Sequence, residues 1–377
     1  MTKAAELAKM GEVLTNSQIG GRRNIIINGG MQVAQRGTSV SSITSTGYRT
    51  LDRFVLDISS LGTWTMSQST DVPSGQGFAN SLKLDCTTAD ASPAASNFMI
   101  LNQRIEGYNL QALAKGTSSA NPMTLSFWVK STKTGTYVVE MYDNDNTRTY
   151  SKAYTISSAD TWEKKTLTYD GDTTGTFDND NNTSLQIFMW LGAGSNYTSG
   201  TISEAWGSRT LANAAAGQVN IADSTDNNFY ITGVQLEVGS QATPFEHRSY
   251  AEELELCKRY FQKFGGGANK HIAHVYAPST SELALILRFA PEMRVTPSVD
   301  WSSDTTDLTY RYNANNSQNF DRGNLNNDGG LGQVTPQGGS MWISGWSHGQ
   351  SSNDGGEIRV LSVSPEEFLF LQFDSEL

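Results

Sequence analysis

The chain has 377 residues, of which 37% are hydrophobic, 17% charged and 10% aromatic, and its formal net charge at pH 7 is −11. The aromatic content excludes a disordered chain. The negative charge argues against nucleic-acid binding and against attraction to an anionic membrane surface, since both depend on Lys and Arg. No stretch comes near the roughly 18 apolar residues of a membrane span, so we expect no nucleic-acid partner and no membrane insertion. A neutral partner, such as a polysaccharide or another protein, fits this composition better.

Residues 1–23 are predicted to be a docking segment. Leu7, Met10 and Leu14 recur at helical spacing, which indicates a short helix over residues 3–16. Its apolar stripe is too narrow to form a core alone, so the helix either docks on another protein or is a frayed terminus. The segment lacks the apolar region of a signal peptide, and we therefore expect the protein to be made in a cytoplasm.

Residues 24–247 read as one β domain. In "MTLSFWVK" and "LQIFMWL" apolar residues alternate with their neighbours, and clusters of Gly, Asn, Asp and Ser separate such runs. Period-two runs with this punctuation are typical of a jelly roll or β-sandwich. The long connections between the runs are where function is most often carried.

Residues 248–264 are predicted to form a linker helix before a second β domain at residues 265–377. Its apolar positions have heptad spacing: Tyr250, Leu254, Cys257, Phe261 and Phe264. This seam packs on a domain or meets copies of itself. The fold class is therefore all-β: a jelly-roll or β-sandwich module and a C-terminal β domain, joined by one short helix and preceded by another. Cys86 and Cys257 allow at most one disulfide.

Motifs for catalysis and cofactors are missing from the sequence, so we expect a non-enzyme without a cofactor. His271 and His274 lack the Glu and the third ligand of a zinc motif. In "DGDTTG", Asp170, Asp172 and Thr174 match the first half of a calcium loop, but position twelve is Asn instead of Glu. These are turn residues first, and a weak calcium site is the alternative.

One group of side chains suggests ligand binding. If Leu185, Ile187, Met189 and Leu191 face the core, Phe188 and Trp190 face the other way, and the same alternation turns Trp128 away from the core. The predicted carbohydrate-binding residues are Trp128, Gln186, Phe188 and Trp190. Sugar rings pack on exposed aromatic faces while Gln186 bonds hydroxyls. The alternative is that loops or a neighbouring subunit cover these rings.

Several stretches carry a resemblance to known proteins. "RRNIIINGGMQVAQRGTSV", "GYRTLDRF", "YITGVQLEVGSQATPFEHRSYAEELELCKRYFQKF", "FAPEMRVTPSV" and the terminal "FDSEL" resemble virion appendage proteins of tailed phages that infect marine bacteria, cyanobacteria included. The resemblance extends over nearly the whole chain, but its motifs mark the scaffold and not a binding site.

The resemblance implies a tail fibre or similar appendage with a module like carbohydrate-binding modules. It also implies a homotrimer in the virion that is joined to tail or capsid proteins by its N-terminal segment and adsorbs to host cell-surface glycan. The chain has no extended shaft, so a capsid decoration, head-fibre or connector protein without a ligand is an alternative. A polysaccharide depolymerase is another alternative, and it would need two facing carboxylates.

Overall fold

A computed structural model describes residue 3 and residues 23–265, 271–279, 282–301, 308–313, 316–320, 334–344, 355–360 and 370–377. The predicted N-terminal helix lies outside the described residues except for Lys3. The chain divides into two compact units, unit 1 (residues 1–253 with Leu377) and unit 2 (residues 254–376). Within the described ranges, no helix combines the length and the apolar character needed to cross a membrane.

Unit 1 is built from antiparallel strands. They are β1 (Ser39–Tyr48), β2 (Val55–Ser69), β3 (Ser81–Thr88), β4 (Phe98–Glu106), β5 (Met123–Ser131), β6 (Gly135–Asp143), β7 (Arg148–Ile156), β8 (Glu163–Tyr169), β9 (Thr183–Ala193), β10 (Gly207–Ser208) and β11 (Asn228–Val238). Their order in the curled sheet is β10-β7-β6-β9-β4-β2-β3-β11-β5-β8, and β1 pairs with β2. The prediction of an all-β sandwich is confirmed.

Strand β2 belongs to both halves of the sandwich. Its first part, Val55–Ser59, pairs with β4, and its second part, Thr63–Ser69, pairs with β3. Between them Ser60 and Gly62 have left-handed backbone angles, with φ of 49° and 74°. A bend of this kind lets one strand change sheets. The two halves are therefore continuous through β2.

The core fills the space between the two halves. Rings from β6 and β7 meet rings from β5 and β11 across it: Phe127 lies 5.2 Å from Tyr154, and Tyr137 lies 6.0 Å from Phe229. Trp64 on β2 is fully buried in the same core. Burial of this much apolar surface is the main favourable term for the fold.

The first and last segments of unit 1 are held side by side. The Glu246 carboxylate accepts the backbone N–H groups of Arg23 and Asn24 at 3.2 and 2.8 Å. Arg248 donates to the backbone oxygens of Asn24 and Ile26, and Glu253 accepts the N–H of Asn28 at 2.5 Å. We call these contacts between residues 23–28 and 246–253 the clasp.

Two short helices and several 3-10 turns complete unit 1 and the chain segment that follows it. The helices are α1 (Ser195–Thr198) and α2 (Tyr250–Lys258), and 3-10 turns occur at Gly107–Asn109, Gln111–Leu113, Leu211–Asn213 and Ile221–Asp223. Helix α2 is shorter than the predicted helix at 248–264. Phe261 and Phe264 lie on a strand, because Phe261–Gly265 pairs with Phe370–Asp374. Cys86 and Cys257 are both buried, and no disulfide joins them.

In its described residues, unit 2 contains a three-stranded and a six-stranded antiparallel sheet. Its strands are β12 (Phe261–Gly265), β13 (His271–Ser279), β14 (Glu282–Arg288), β15 (Ser298–Trp301), β16 (Leu308–Asn313), β17 (Asn316–Phe320), β18 (Gly338–Ser344), β19 (Gly355–Val360) and β20 (Phe370–Asp374). The orders are β12-β20-β15 and β17-β16-β19-β13-β14-β18. Phe289 and Phe373 meet at 4.7 Å between ring centres.

Candidate functional site

The candidate site lies on the outward face of β6, β9 and β4. Ile187 and Met189 belong to the central core, whereas Phe188 and Trp190 belong to a second apolar cluster. The alternation in "LQIFMWL" had predicted this separation. Ile100 on β4 and Val138 on β6 join the second cluster, so three neighbouring strands present apolar side chains to the same side.

This face is not the open platform that the sequence suggested. Trp190 is 1% exposed and Phe188 is 8% exposed. They are covered by residues 195–218, which we call the cover segment. Its Ala214 and Ala215 are buried against the two rings, and Tyr197 and Ile202 pack beside them. The alternative of coverage by a loop therefore describes these aromatics correctly, because burying two large rings is favourable.

A cleft of about 290 Å³ remains between the strands and the cover segment. Its apolar lining consists of Phe98, Ile100, Phe188, Trp190, Tyr197 and Leu211. Its polar lining consists of Thr46, Asp57, Arg104, Gln186 and Arg209. A concave apolar pocket with a few fixed polar groups is the usual form of a small-molecule site.

The aromatic part of the cleft is a set of rings in mutual contact. Phe98 lies 5.5 Å from Tyr197 and 6.5 Å from Trp190, both edge to face. Trp190 and Tyr197 are 5.3 Å apart. These distances are typical of favourable aromatic pairs. The rings therefore support one another.

A buried carboxylate fixes one wall. Glu140 is fully buried on β6. Arg209 of the cover segment donates to it through Nε at 2.7 Å and Nη2 at 3.0 Å. The Trp190 indole and the Thr149 hydroxyl donate to the same carboxylate. A two-pronged arginine–carboxylate contact specifies geometry, so Glu140 orients both Arg209 and Trp190.

Arg209 also lies against two rings. Its guanidinium carbon is 4.5 Å from the centre of Tyr142 and 5.3 Å from that of Phe188. The two rings are stacked with 5.7 Å between their centres. A cation over aromatic faces is stabilised by the ring quadrupole. The Arg209 guanidinium is therefore held by the Glu140 carboxylate and by the Tyr142 and Phe188 rings.

The other wall is a row of hydrogen-bonded polar side chains. Arg104 Nη2 donates to Asp57 at 3.2 Å, and Asn102 Nδ2 donates to Asp57 at 2.9 Å and to Gln186 at 3.0 Å. Gln186 in turn donates to Asn144 at 3.2 Å. Asp57 can only accept, and this fixes the direction of the row. The wall presents ordered donors and acceptors next to the rings.

Trp128 is separated from this group. It lies on β5, where its paired residues are Thr232 and Lys164. Its neighbours Phe127 and Val129 face the central core, so Trp128 is on the outward face of the opposite half of the sandwich. The structure thus brings together Gln186, Phe188 and Trp190, and it does not bring Trp128 to them.

The calcium candidates are engaged in ion pairs. Asp172 accepts from Arg148 at 2.7 and 3.0 Å and lies 3.1 Å from Lys115 Nζ. The Lys115 ammonium also bonds the backbone oxygens of Thr174 and Gly175. A Ca²⁺ ion at Asp172 would have to displace the Lys115 ammonium. Asp170, the other aspartate of the predicted site, is exposed. Among the described residues, no group of three acidic, His or Cys side chains could hold a metal ion.

Burial alone would raise the pKa of Asp172. The hydrogen bonds from Arg148 and the Thr174 N–H and the charge of Lys115 outweigh it, so the pKa lies below its usual range. The Asp172 carboxylate is therefore charged at neutral pH, and its ion pairs with Arg148 and Lys115 stabilise the fold.

Sequence reasoning missed several cleft residues. The strand "FMILNQRIE" alternates as β9 does, which places Phe98, Asn102 and Arg104 on one face. In "TYVVEMY", Glu140 stands between core residues and is the type of lone charge that needs a buried partner. Both signals were present. Tyr197 and Arg209 had no such signal, since Tyr197 lies in the four-residue helix α1 and Arg209 directly follows the two-residue strand β10.

No protein-family model matches the chain, and no curated protein matches it. Solved structures with a similar fold include the enzymatically active domain of bacteriophage CBA120 tailspike protein 4, at 14% identity and a TM-score of 0.30; the match covers 57% of this chain and 21% of that one. The chain thus spans about a fifth of the tailspike domain.

Two carbohydrate-binding modules are similar at the same level. TmCBM61, solved with β-1,4-galactotriose, has 10% identity and a TM-score of 0.28, with 58% of this chain and 99% of that chain covered. The family 11 carbohydrate-binding module of a Clostridium thermocellum cellulase has 12% identity and a TM-score of 0.25, with 59% and 97% covered.

Proposed function

We propose that unit 1 binds glycan in the cleft between β9, β4 and the cover segment. The observation that carries this proposal is the juxtaposition of two walls. Phe98 and Tyr197 offer apolar ring surface that packs on the buried Trp190, and Gln186 and Asp57 with Arg104 offer fixed hydrogen-bonding groups. A sugar needs both, because its CH faces are apolar and its hydroxyls both donate and accept.

The cleft binds without hydrolysing. Asp57 is the one carboxylate among the lining residues in the described part of the chain, and Glu140 is the buried acid that fixes the opposite wall. Asp57 pairs with Ile100, Ile100 with Trp190, and β9 with β6, which carries Glu140. Three strand spacings place the backbones of the two acids about 14 Å apart, whereas the carboxyl groups of glycosidase pairs are roughly 5–9.5 Å apart.

The test is a glycan array probed with the full-length protein, followed by calorimetry on the glycans that bind. Phe98→Ala removes a half-buried ring from the cleft. We expect it to weaken binding by about tenfold, the equivalent of one good aromatic contact. Gln186→Ala should also weaken glycan binding, because it removes a hydrogen-bonding group from the polar wall of the cleft.

Trp128→Ala is the matched control, since it removes a half-buried ring from the opposite face. We expect it to leave binding unchanged. Loss of binding in Trp128→Ala with none in Phe98→Ala would move the glycan site to the other half of the sandwich. An array without any bound glycan would reject glycan binding altogether.

We further propose that the protein is a virion appendage, a tail fibre or a similar structure that adsorbs to host-surface glycan. The resemblance of its scaffold stretches to appendage proteins of tailed phages supports this role. Repeated weak sites would then gain avidity. Immunogold labelling of virions from an infected marine host tests it: gold at the tail supports adsorption, and gold over the capsid favours a decoration or head-fibre protein.

A further inference from the structure

We infer that the cleft selects uncharged glycans and rejects those with carboxylate substituents. This inference rests on the proposed glycan-binding function and names the ligand class of the same site. The inference is based on the following contacts. Among the described residues, two arginines line the cleft, and each forms an ion pair with a carboxylate of the protein. The cleft therefore contains cationic groups without offering an uncompensated positive charge.

The first pair is Arg209 with Glu140. Arg209 is the cationic residue of the cover segment that lines the cleft, and its side chain is 17% exposed. The fully buried Glu140 takes the N–H groups of Nε and Nη2. Because Nη1 lies outside this contact, its N–H groups remain available to a sugar oxygen. The pair acts as a neutral hydrogen-bond donor.

The second pair is Arg104 with Asp57, at 3.2 Å on the opposite wall. Their side chains are 27% and 13% exposed, so both meet a ligand in the cleft. Here the carboxylate itself lines the cleft together with the guanidinium. Asp57 would repel a ligand carboxylate at close range, and Arg104 would attract it about equally.

A charged ligand would lose hydration without gaining a partner. A carboxylate in a partly buried site needs an opposite charge of its own, because its desolvation is costly. Both guanidiniums already satisfy a protein carboxylate, and the whole chain carries a net charge of −11. Rejection through occupied partners is a common route to specificity. Hydroxyl groups, in contrast, are well served by the remaining donors and acceptors.

The experiment compares one glycan in two charge states. The strongest uncharged hexose glycan from the array is measured by calorimetry with the full-length protein, and so is the same glycan after oxidation of its C6 hydroxyls to carboxylates. We expect the wild-type protein to bind the oxidised form at least about tenfold more weakly. In Glu140→Gln, the amide oxygen can accept from the Trp190 indole and the amide NH2 can donate to the Thr149 hydroxyl, so both keep a partner, while Arg209 is left with its charge.

Glu140→Gln should therefore shift the preference toward the oxidised glycan by about tenfold or more, and this gain should shrink with added salt. In the double variant Glu140→Gln/Arg209→Gln both charges are gone, and the preference for the oxidised form should disappear again. Asp57→Asn repeats the test at a less buried position, so the inference can still be checked if Glu140→Gln fails to fold.

The outcomes separate the two proposals. If wild-type protein binds the oxidised glycan as well as the parent, or if only acidic glycans bind, selection by charge is overturned while glycan binding stands. If both Glu140→Gln and Asp57→Asn fold and leave the preference unchanged, the paired carboxylates are not its cause. If no glycan binds, the proposed function itself fails.

Discussion

Two neighbouring glycines in the first segment of unit 1 differ in what a methyl group would meet. A Cβ on Gly29 would lie 2.1 Å from the backbone oxygen of Val234, whereas one on Gly30 would have its nearest contact at 3.7 Å, with the Phe245 ring. We expect Gly29→Ala to lower the free energy of unfolding by about 2 kcal/mol or more, and Gly30→Ala to change it by about 0.5 kcal/mol or less. Urea titration of both variants measures the difference. Equal stabilities would mean that the close approach of Gly29 to β11 is not maintained.

Asp172 gives unit 1 a dependence on acid pH. Its pKa is lowered in the folded protein, whereas an unfolded Asp titrates near 3.9. A depressed carboxyl pKa contributes stability that is present above the unfolded value and is lost as the pH falls through the folded one. The wild-type protein should therefore lose this contribution below about pH 4.

Asp172→Asn removes that contribution at every pH. It leaves Arg148 and Lys115 without one of their partners, so we expect a loss of about 3 kcal/mol at pH 7 and a smaller difference from the wild type at pH 3. Thermal unfolding at the two pH values measures this. The exposed Asp170→Asn serves as the control, with little effect at either pH. A constant difference between Asp172→Asn and wild type would contradict the ion-pair account.

Among the elements, the clasp depends on one arginine. Arg248 bonds two backbone oxygens and lies 3.4 Å from Glu253, which is 7% exposed. Arg248→Met keeps much of the side-chain volume but leaves a buried carboxylate without its cation, at a cost of about 3 kcal/mol. We expect faster hydrogen exchange at the amides of residues 24–28.

Arg49→Met is the comparison for the clasp, because the Arg49 guanidinium donates to the nearby Ser45 and Thr46. Exchange at residues 24–28 should not change in this variant. If Arg248→Met also leaves these amides protected, backbone pairing such as Ile25 N–H to Leu236 O at 2.8 Å holds the segment by itself.

At the scale of elements, the sequence was informative wherever alternation was strict. It placed Phe188 and Trp190 opposite Ile187 and Met189, because strand geometry alone decides the side of a residue. It could not decide which strands would be neighbours, so Trp128 was grouped with rings on another face. The linker helix was predicted too long, since the heptad spacing of Phe261 and Phe264 was overridden by the pairing of β12 with β20.

For the whole molecule, the two compact units predict separate stabilities. Phe373 in unit 2 is fully buried and lies 4.7 Å from Phe289 and 5.7 Å from Phe264. Phe373→Ala should cost about 3–5 kcal/mol in unit 2 while the glycan affinity of the cleft is unchanged. Phe127→Ala in the core of unit 1 is the counterpart. It should lower the unfolding temperature of unit 1, so that glycan binding by the cleft is lost at a lower temperature than in the wild type. Loss of glycan affinity in folded Phe373→Ala would show that the units are coupled.

The candidate site was only partly predictable at this scale, because it is assembled from distant parts of the chain. Gln186 and Trp190 come from β9, Asp57 from β2 and Arg209 from the cover segment. A sequence reports neighbours along one strand, whereas a cleft depends on strand order and on how a loop returns over the sheet. Composition nevertheless favoured a neutral partner, which agrees with the proposed selectivity.

The clasp has a mechanical consequence. A pulling force applied between Arg23 and Glu253 enters unit 1 at two places that are already bonded to each other through Glu246 and Arg248. Such a load is carried by the clasp, by the backbone bond from Ile25 to β11, and by Gln103 of β4, whose side chain bonds Ile27 on the face of β4 turned away from the cleft. The binding cleft would therefore keep its shape under tension, and the first bonds to break would be those that join the two ends of the unit.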